Sequence, residues 1–452
     1  MRKGIGQVVR MVLFLGVLCG VLLSIQNLFG IEAFLDFDNV VAFQTERKNS
    51  MDAVYIGGSD VHAFWQPAFC WEEYGFATWS YSVDSITPAA VKNLLIEAQK
   101  RQPDSLYIIS LNTFKKDSTV STMEDIHRVV DYLPLSRNKI DLVEKLTAPL
   151  EDYQGLNKLE FYLPMIRFHS RWDDLKAYSL DAKSYDYKSS IRYSAYLQNV
   201  SDITSKFILV EANGEAAADV RETFLDLLDY CEAQHISLLF TKVPQVMNPV
   251  EQISLLQLEK ILRERGIPYI DLMSQAENIG IDTHMDFYNT KHTNVHGSLK
   301  VTHAIATYLA ENYPFQDKRN ASGWESWDQA ATDYLNYVSS ETLPFEREHA
   351  PRSRLQRPVL GKTTAKGTSL TISWQESFGA EGYAIYRKSS QENRGHWQEV
   401  ARVERDVLSY TEENLKASTK YTYTVVPIEM KEEQMQYGFF DVTGISGTTG
   451  GK

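Results

Sequence analysis

The sequence predicts an α/β domain built on a parallel sheet, preceded by an N-terminal transmembrane helix and followed by an all-β sandwich. Three observations carry this reading. Residues 11–31 are almost wholly apolar, and from about residue 50 short apolar strands alternate with helical patterns. Beyond about residue 357 the hydropathy period shortens to two. A chain of 452 residues has the length for several folding units and a sizeable core.

The N-terminal run comes first. At about 1.5 Å per residue, a helix from Met11 to about Ile31 covers roughly the 30 Å of a bilayer core. A secretory signal peptide is shorter and ends in small residues, and Leu22-Leu23-Ser24-Ile25-Gln26-Asn27 contains no such cleavage site. An uncleaved signal anchor is therefore expected. Arg2, Lys3 and Arg10 precede it, while Glu32, Asp36 and Asp38 follow it. The basic end then stays inside, so residues 1–10 are cytoplasmic, 11–31 form a single-pass anchor in the cell membrane, and the C-terminal domains are extracytoplasmic. Cys19 is not read as a lipidated cysteine, because Leu18 stands where a small residue is needed.

The α/β domain spans 50–314. It opens with Ala53-Val54-Tyr55-Ile56, an apolar strand that ends at Gly57-Gly58 and then Ser59-Asp60. A short strand at Ala77–Ser82, a helix from Pro88 to Arg101 and the strand Ser105–Leu111 follow. Pro88 suits the first turn of that helix, and Val91, Leu94, Leu95 and Ala98 share one face. An insertion at about 115–205 breaks the alternation. It carries His169, Arg171 and Trp172, which either contact substrate from a lid or belong to a solvated helical layer. Alternation resumes with Lys206–Val210, a helix at 217–234, the strand Ile236–Phe240, a helix at 250–265 and Ile267–Asp271. A last amphipathic helix runs from Gly297 to about Tyr313.

Residues 315–357 read as a charge-mixed linker with some helix. Then Ser369–Trp374, Gly382–Arg387 and Lys420–Val426 alternate apolar and polar residues, as strands of a β-sandwich over 358–450. Trp374, Tyr383, Tyr386 and Leu415-Lys-Ala-Ser-Thr-Lys-Tyr421 resemble the fibronectin type III pattern. That resemblance implies that Tyr421 pins a corner between strands.

Net charge is −13 and the isoelectric point about 5.3, which argues against nucleic acid as a partner. Three cysteines, Cys19, Cys70 and Cys231, are too few for a disulfide framework or a zinc site. Cys70 and Cys231 are either one bridge or two buried thiols.

The chemistry is expected at Ser59 and His292. A serine hydroxyl becomes a nucleophile only when a base takes its proton, and histidine is the usual base near neutrality. The carboxyl edge of a parallel sheet is where such folds build sites, and the loop after the last strand brings His292 to that same edge. The imidazole also needs an acceptor on its far nitrogen. Spacing favours Asn289, three residues earlier, whereas electrostatics favours Asp286, because a carboxylate stabilises an imidazolium better than an amide does. Taken alone, Gly57-Gly58-Ser59 also reads as a turn without chemistry. His284, Asp286, His292 and His296 offer an alternative metal set, but nothing in their spacing enforces convergence, so neither metal nor another cofactor is expected.

Gly57-Gly58-Ser59-Asp60 and Asn289-Thr-Lys-His292-Thr-Asn-Val-His-Gly297 resemble the first and last blocks of the SGNH/GDSL hydrolase superfamily. With an anchor and a long irregular middle, the chain is similar to the membrane-anchored bacterial DltD-like and alginate-acetylation-like proteins. The resemblance covers about 50–314 and implies a flavodoxin-like sheet with helices on both faces, Ser59 as nucleophile and His292 as base. It departs from the family at Asn289, where the family has an acid, and in the absence of an oxyanion-hole glycine. Backbone N–H groups of Ser59 and Asp60, with Asn112 after its strand, are the oxyanion candidates. The implied function is an extracytoplasmic esterase or O-acyltransferase acting on acyl, chiefly acetyl, esters of a cell-surface glycan or acylated polymer, beside a membrane-bound O-acyltransferase. The competing reading is a non-catalytic glycan-binding or assembly protein that keeps the fold.

Overall fold

The computed structural model describes residues 2–28, 39–115, 122–152, 155–163, 166–167, 187–191, 203–206, 214–283, 286–349, 355–389, 397–431, 433–438, 440–441 and 444–451. His169, Arg171, Trp172 and His284 lie outside these residues, as does all of the expected strand 206–210 except Lys206. Lys206 ends a short 3-10 turn, Thr204–Lys206.

The N-terminal helix is Arg2–Leu28. Among the described residues, no helix is long and apolar enough to cross a membrane. The span expected over 11–31 is thus not found. Arg10 limits the uncharged part of this helix to about 18 residues, roughly 27 Å, and residues 29–31 lie outside the described ones.

The chain divides into two compact units. The first comprises residues up to Pro67, Phe76–Ser189 and Phe207–Ile279, and the second comprises Ala68–Gly75, Ser190–Lys206 and Gly280–Lys452. This differs from the expected boundaries, since the segment carrying His292 belongs to the second unit.

The first unit is a five-stranded parallel sheet of β1 (Ala53–Gly57), β2 (Thr78–Ser82), β3 (Leu106–Ser110), β4 (Leu238–Lys242) and β5 (Tyr269–Asp271), in the order β2-β1-β3-β4-β5. That is the doubly wound order of flavodoxin-like sheets, in which the direction of winding switches between β1 and β3. All positions of β1, β2 and β3 are buried, as a parallel sheet covered on both faces requires. The helix Pro88–Arg101 follows from its sequence, with Pro88 at its first turn, Val91, Leu94, Leu95 and Ala98 in the core, and Lys100 and Arg101 at its C-terminal end. The helix Pro249–Glu264 starts at a capping box, in which Asn248 and Glu251 satisfy each other's backbone N–H.

The second unit holds a hairpin, β6 (Phe287–Asn289) with β7 (His292–Thr293), and the helix Val295–Asn312 that follows it. The expected linker contains a helix, Glu325–His349, and part of that helix is core. Trp327, Ala330, Ala331, Tyr334, Leu335 and Val338 are buried at helical spacing. Trp71, returning from residues 68–75, packs its ring against Trp324 at 5.4 Å and Trp327 at 5.2 Å, and its indole N–H donates to Asp328 at 3.0 Å.

The sandwich has β8 (Thr364–Lys366), β9 (Ser369–Ser373) and β12 (Ser409–Glu412) in one sheet. The other contains β10 (Gly382–Lys388), β11 (Gln398–Glu404), β13 (Lys420–Lys431) and β14 (Gln434–Tyr437), with β15 (Ile445–Thr448) also on β13. Ile372, Trp374, Tyr383, Ile385, Tyr421 and Tyr423 fill its core. Tyr421 pins the corner as expected, its hydroxyl accepting from Lys416 N–H at 3.2 Å.

Candidate active site

Ser59 follows directly from the way β1 ends. Gly57, the last residue of β1, faces Ser82 in the register with β2. A Cβ on Gly57 would stand 2.7 Å from Val61 Cγ2 and 2.8 Å from Ser110 Cβ, so only glycine fits. Gly58 is extended and caps a four-residue helix, Ser59–His62. Ser59 is half-buried between the buried Gly58 and Asp60, which leaves part of the serine reachable from solvent. Asp60 accepts a hydrogen bond from the Ser110 hydroxyl at the end of β3.

Asn112 does not match its expected oxyanion role. Its side-chain N–H donates to Val243 O at 3.0 Å and to Gln245 Oε1 at 3.1 Å, while its oxygen accepts from Val243 N–H at 2.9 Å. With both ends of the amide engaged and the residue buried, Asn112 ties the chain after β3 to the chain after β4. The backbone N–H groups of Ser59 and Asp60, in the first turn of their helix, remain as the oxyanion candidates.

The histidine loop forms from the hairpin outward. Asn289 Oδ1 accepts from the backbone N–H of Lys291 at 2.8 Å and of His292 at 3.0 Å, the turn motif to which asparagine is suited. The same oxygen lies 3.0 Å from His292 Nδ1. Two backbone donors fix which end of the amide is oxygen, so Nδ1 carries the proton. The Nε2 lone pair is then the basic one.

Asp286 takes the other path. It is buried, and its Oδ2 accepts from Lys300 Nζ at 2.7 Å and from Asp282 N–H at 2.7 Å. Burial raises its pKa, and the Lys300 hydrogen bond opposes that rise. Its backbone carbonyl accepts from Asn294 N–H at 2.9 Å. A Cβ on Gly297 would lie 2.4 Å from the same carbonyl oxygen, so the helix after the hairpin can approach Asp286 this closely only at a glycine. Asn294 caps that helix through Gly297 N–H at 3.2 Å. His296 is held neutral, since burial and then Lys300 lower its pKa to about 4. Among the described residues, no three of His, Cys, Asp and Glu converge as a metal centre needs.

The structure therefore brings Asn289 to His292, Asp286 to Lys300, and Ser59 and Asp60 onto one turn. Ser59 belongs to the first unit and His292 to the second. Spacing alone does not mark Lys300 or His62. Lys300 lies 14 residues from Asp286, and His62 meets its partners only when β2 pairs with β1.

No family model and no curated protein sequence matches the chain. Solved structures similar to it include the fibronectin type III domain of human collagen XX, at 26% identity over 22% of this chain and 98% of that one, with a TM-score of 0.18. The FN5 domain of Drosophila Lar is 22% identical over 22% of this chain and 99% of that one, TM-score 0.18. A β-1,2-glucanase from Parabacteroides distasonis is 22% identical over 22% of this chain and only 13% of its own length, TM-score 0.18.

Proposed function

We propose that the protein is an SGNH-like serine esterase or O-acyltransferase that acts on acyl, chiefly acetyl, esters of a cell-surface glycan. The observation that carries this reading is the contact between Asn289 Oδ1 and His292 Nδ1 at 3.0 Å, which leaves the basic nitrogen of His292 at Nε2. Ser59 also supports it, as a half-buried serine on a glycine-built turn at the carboxyl edge of β1. In this proposal His292 Nε2 takes the Ser59 proton as the hydroxyl oxygen attacks the acyl carbon. The N–H groups of Ser59 and Asp60 receive the developing oxyanion. His292 returns the proton to the departing sugar oxygen, and water or a second hydroxyl then resolves the acyl-serine.

Attachment to a membrane through the N-terminal helix belongs to the same proposal. Val12, Leu13, Phe14 and Val17 are each 60–67% exposed, and an apolar stretch of that kind is unstable in water and calls for lipid or a partner. A membrane-bound O-acyltransferase is the proposed partner in the transfer version. His169, Arg171 and Trp172 stay as proposed substrate contacts.

Full-length protein in detergent tests the reading. It is expected to hydrolyse a small acetyl ester, and Ser59→Ala and His292→Ala are each expected to abolish turnover. Undiminished activity in Ser59→Ala would overturn the assignment.

A second reading has its own observation. Asn289 is neutral and stabilises an imidazolium much less than a carboxylate would, which suits a non-catalytic glycan-binding or assembly protein on the same fold. A serine-directed fluorophosphonate separates the two, because an activated Ser59 is labelled and an ordinary hydroxyl is not.

A further inference from the structure

The helix that carries Ser59 is too short to hold itself. Its four residues form barely one turn, its cap is a glycine without a side chain to offer, and it hangs from two consecutive glycines. Something outside the turn must fix where the Ser59 hydroxyl points. Two side chains of this helix reach sideways to the strands that flank β1. Asp60 is tied to Ser110 on β3. His62 is tied to Ser82 on β2.

The His62 tie is the longer of the two. Asn39 Nδ2 donates to Ser82 Oγ at 3.0 Å, and the same hydroxyl is hydrogen-bonded to His62 Nδ1 at 3.0 Å. On the far side of the ring, His62 Nε2 lies 3.3 Å from Asp84 Oδ1, within ion-pair distance. Arg128 Nη1 donates to the other oxygen of Asp84 at 3.1 Å. His62 and Ser82 are fully buried, while Asp84 and Arg128 reach solvent. Hydrogen bonds join Asn39, Ser82 and His62, and ion-pair contacts join His62, Asp84 and Arg128, so that loss of one member removes a partner from buried polar groups of its neighbours.

We infer that His62 is a positioning residue for Ser59, acting through a strap that runs Asn39, Ser82, His62, Asp84 and Arg128. The strap and the Asp60–Ser110 tie hold the Ser59 turn from both neighbouring strands, so the hydroxyl cannot swing on Gly57-Gly58. Ser82, His62 and Asp84 share the residue types of a catalytic triad, but Ser82 has no exposed surface from which to attack a substrate, and the group orients rather than reacts. The inference deepens the esterase reading and rests on it for the role of Ser59.

The test compares full-length wild type with His62→Ala, His62→Asn and Ser82→Ala. Amide hydrogen exchange over residues 58–63 reads the strap directly. In His62→Ala, exchange there is expected to rise about tenfold or more, with protection elsewhere unchanged. Fluorophosphonate labelling at Ser59 and kcat for an acetyl ester are expected to fall by a similar factor with KM unchanged. His62→Asn keeps a hydrogen-bonding group for the Ser82 hydroxyl and is expected to recover part of both. Unchanged exchange over 58–63 in His62→Ala overturns the inference, and so does labelling at Ser82. If the wild type neither labels nor hydrolyses but His62→Ala still loosens 58–63, the strap stands and the esterase reading fails.

Discussion

Asn289 holds His292 by one oxygen atom that also closes the turn between them, with Oδ1 at 3.0 Å from Nδ1. Orientation is therefore supplied and charge is not. An Asp-to-Asn change in a comparable triad costs about 10⁴ in rate, mainly through the tautomer, and here the turn already selects the tautomer. Asn289→Asp is accordingly expected to raise kcat about tenfold, by stabilising the imidazolium, whereas Asn289→Ala is expected to lower it at least as much. Steady-state kinetics on an acetyl ester checks both. A rise on Asn289→Ala would remove Asn289 from the site.

Asp286 and Lys300 make a structural pair rather than a catalytic one. Removing Lys300 leaves a buried carboxylate with, among the described residues, only the Asp282 N–H donor. Lys300→Met is expected to cost about 2 kcal/mol, less than a fully buried pair because Lys300 is partly exposed. Asp286→Asn retains the Asp282 hydrogen bond and is expected to cost less. Urea denaturation followed in the second unit measures the difference, and a Lys300→Met midpoint equal to wild type contradicts the pairing.

His296 predicts a loss of stability on the acid side. Its folded pKa, about 4, lies below the ordinary value of 6.5, so the unfolded chain takes up the proton first. The contribution is whole above about pH 6.5 and is lost as pH falls from there toward 4. His296→Leu removes that dependence. Denaturation midpoints at pH 7.5 and pH 5 are expected to separate in wild type and to separate less in the variant.

Tyr421 offers a test confined to the sandwich. Its hydroxyl is the one polar atom of a buried ring and accepts from Lys416 N–H at 3.2 Å. Tyr421→Phe leaves that N–H without its partner and is expected to cost about 1–2 kcal/mol. Hydrogen exchange in β13 reads the loss without depending on the first unit, and unchanged protection there refutes the corner.

Much of this protein was determined by local sequence alone. Strand and helix periods place β1 to β5 within a residue or two, because short apolar runs and a helix start such as Pro88 act over a few residues. Gly57-Gly58-Ser59 and Asn289-x-x-His292 were legible for the same reason, since a turn and an i, i+3 contact are local. Tertiary structure decided the rest. Electrostatics favours Asp286 as the partner of His292, but Lys300, 14 residues later on the following helix, holds its carboxylate. Asn112 follows a suitable strand in the sequence, but Val243 and Gln245, from the neighbouring strand's end, occupy its amide. The 315–357 segment read as linker, yet Trp71, more than 250 residues away, turns its helix into core. A polar side chain's role depends on which partner reaches it first in space, and that is set by sheet order and helix packing, which no short window of sequence contains.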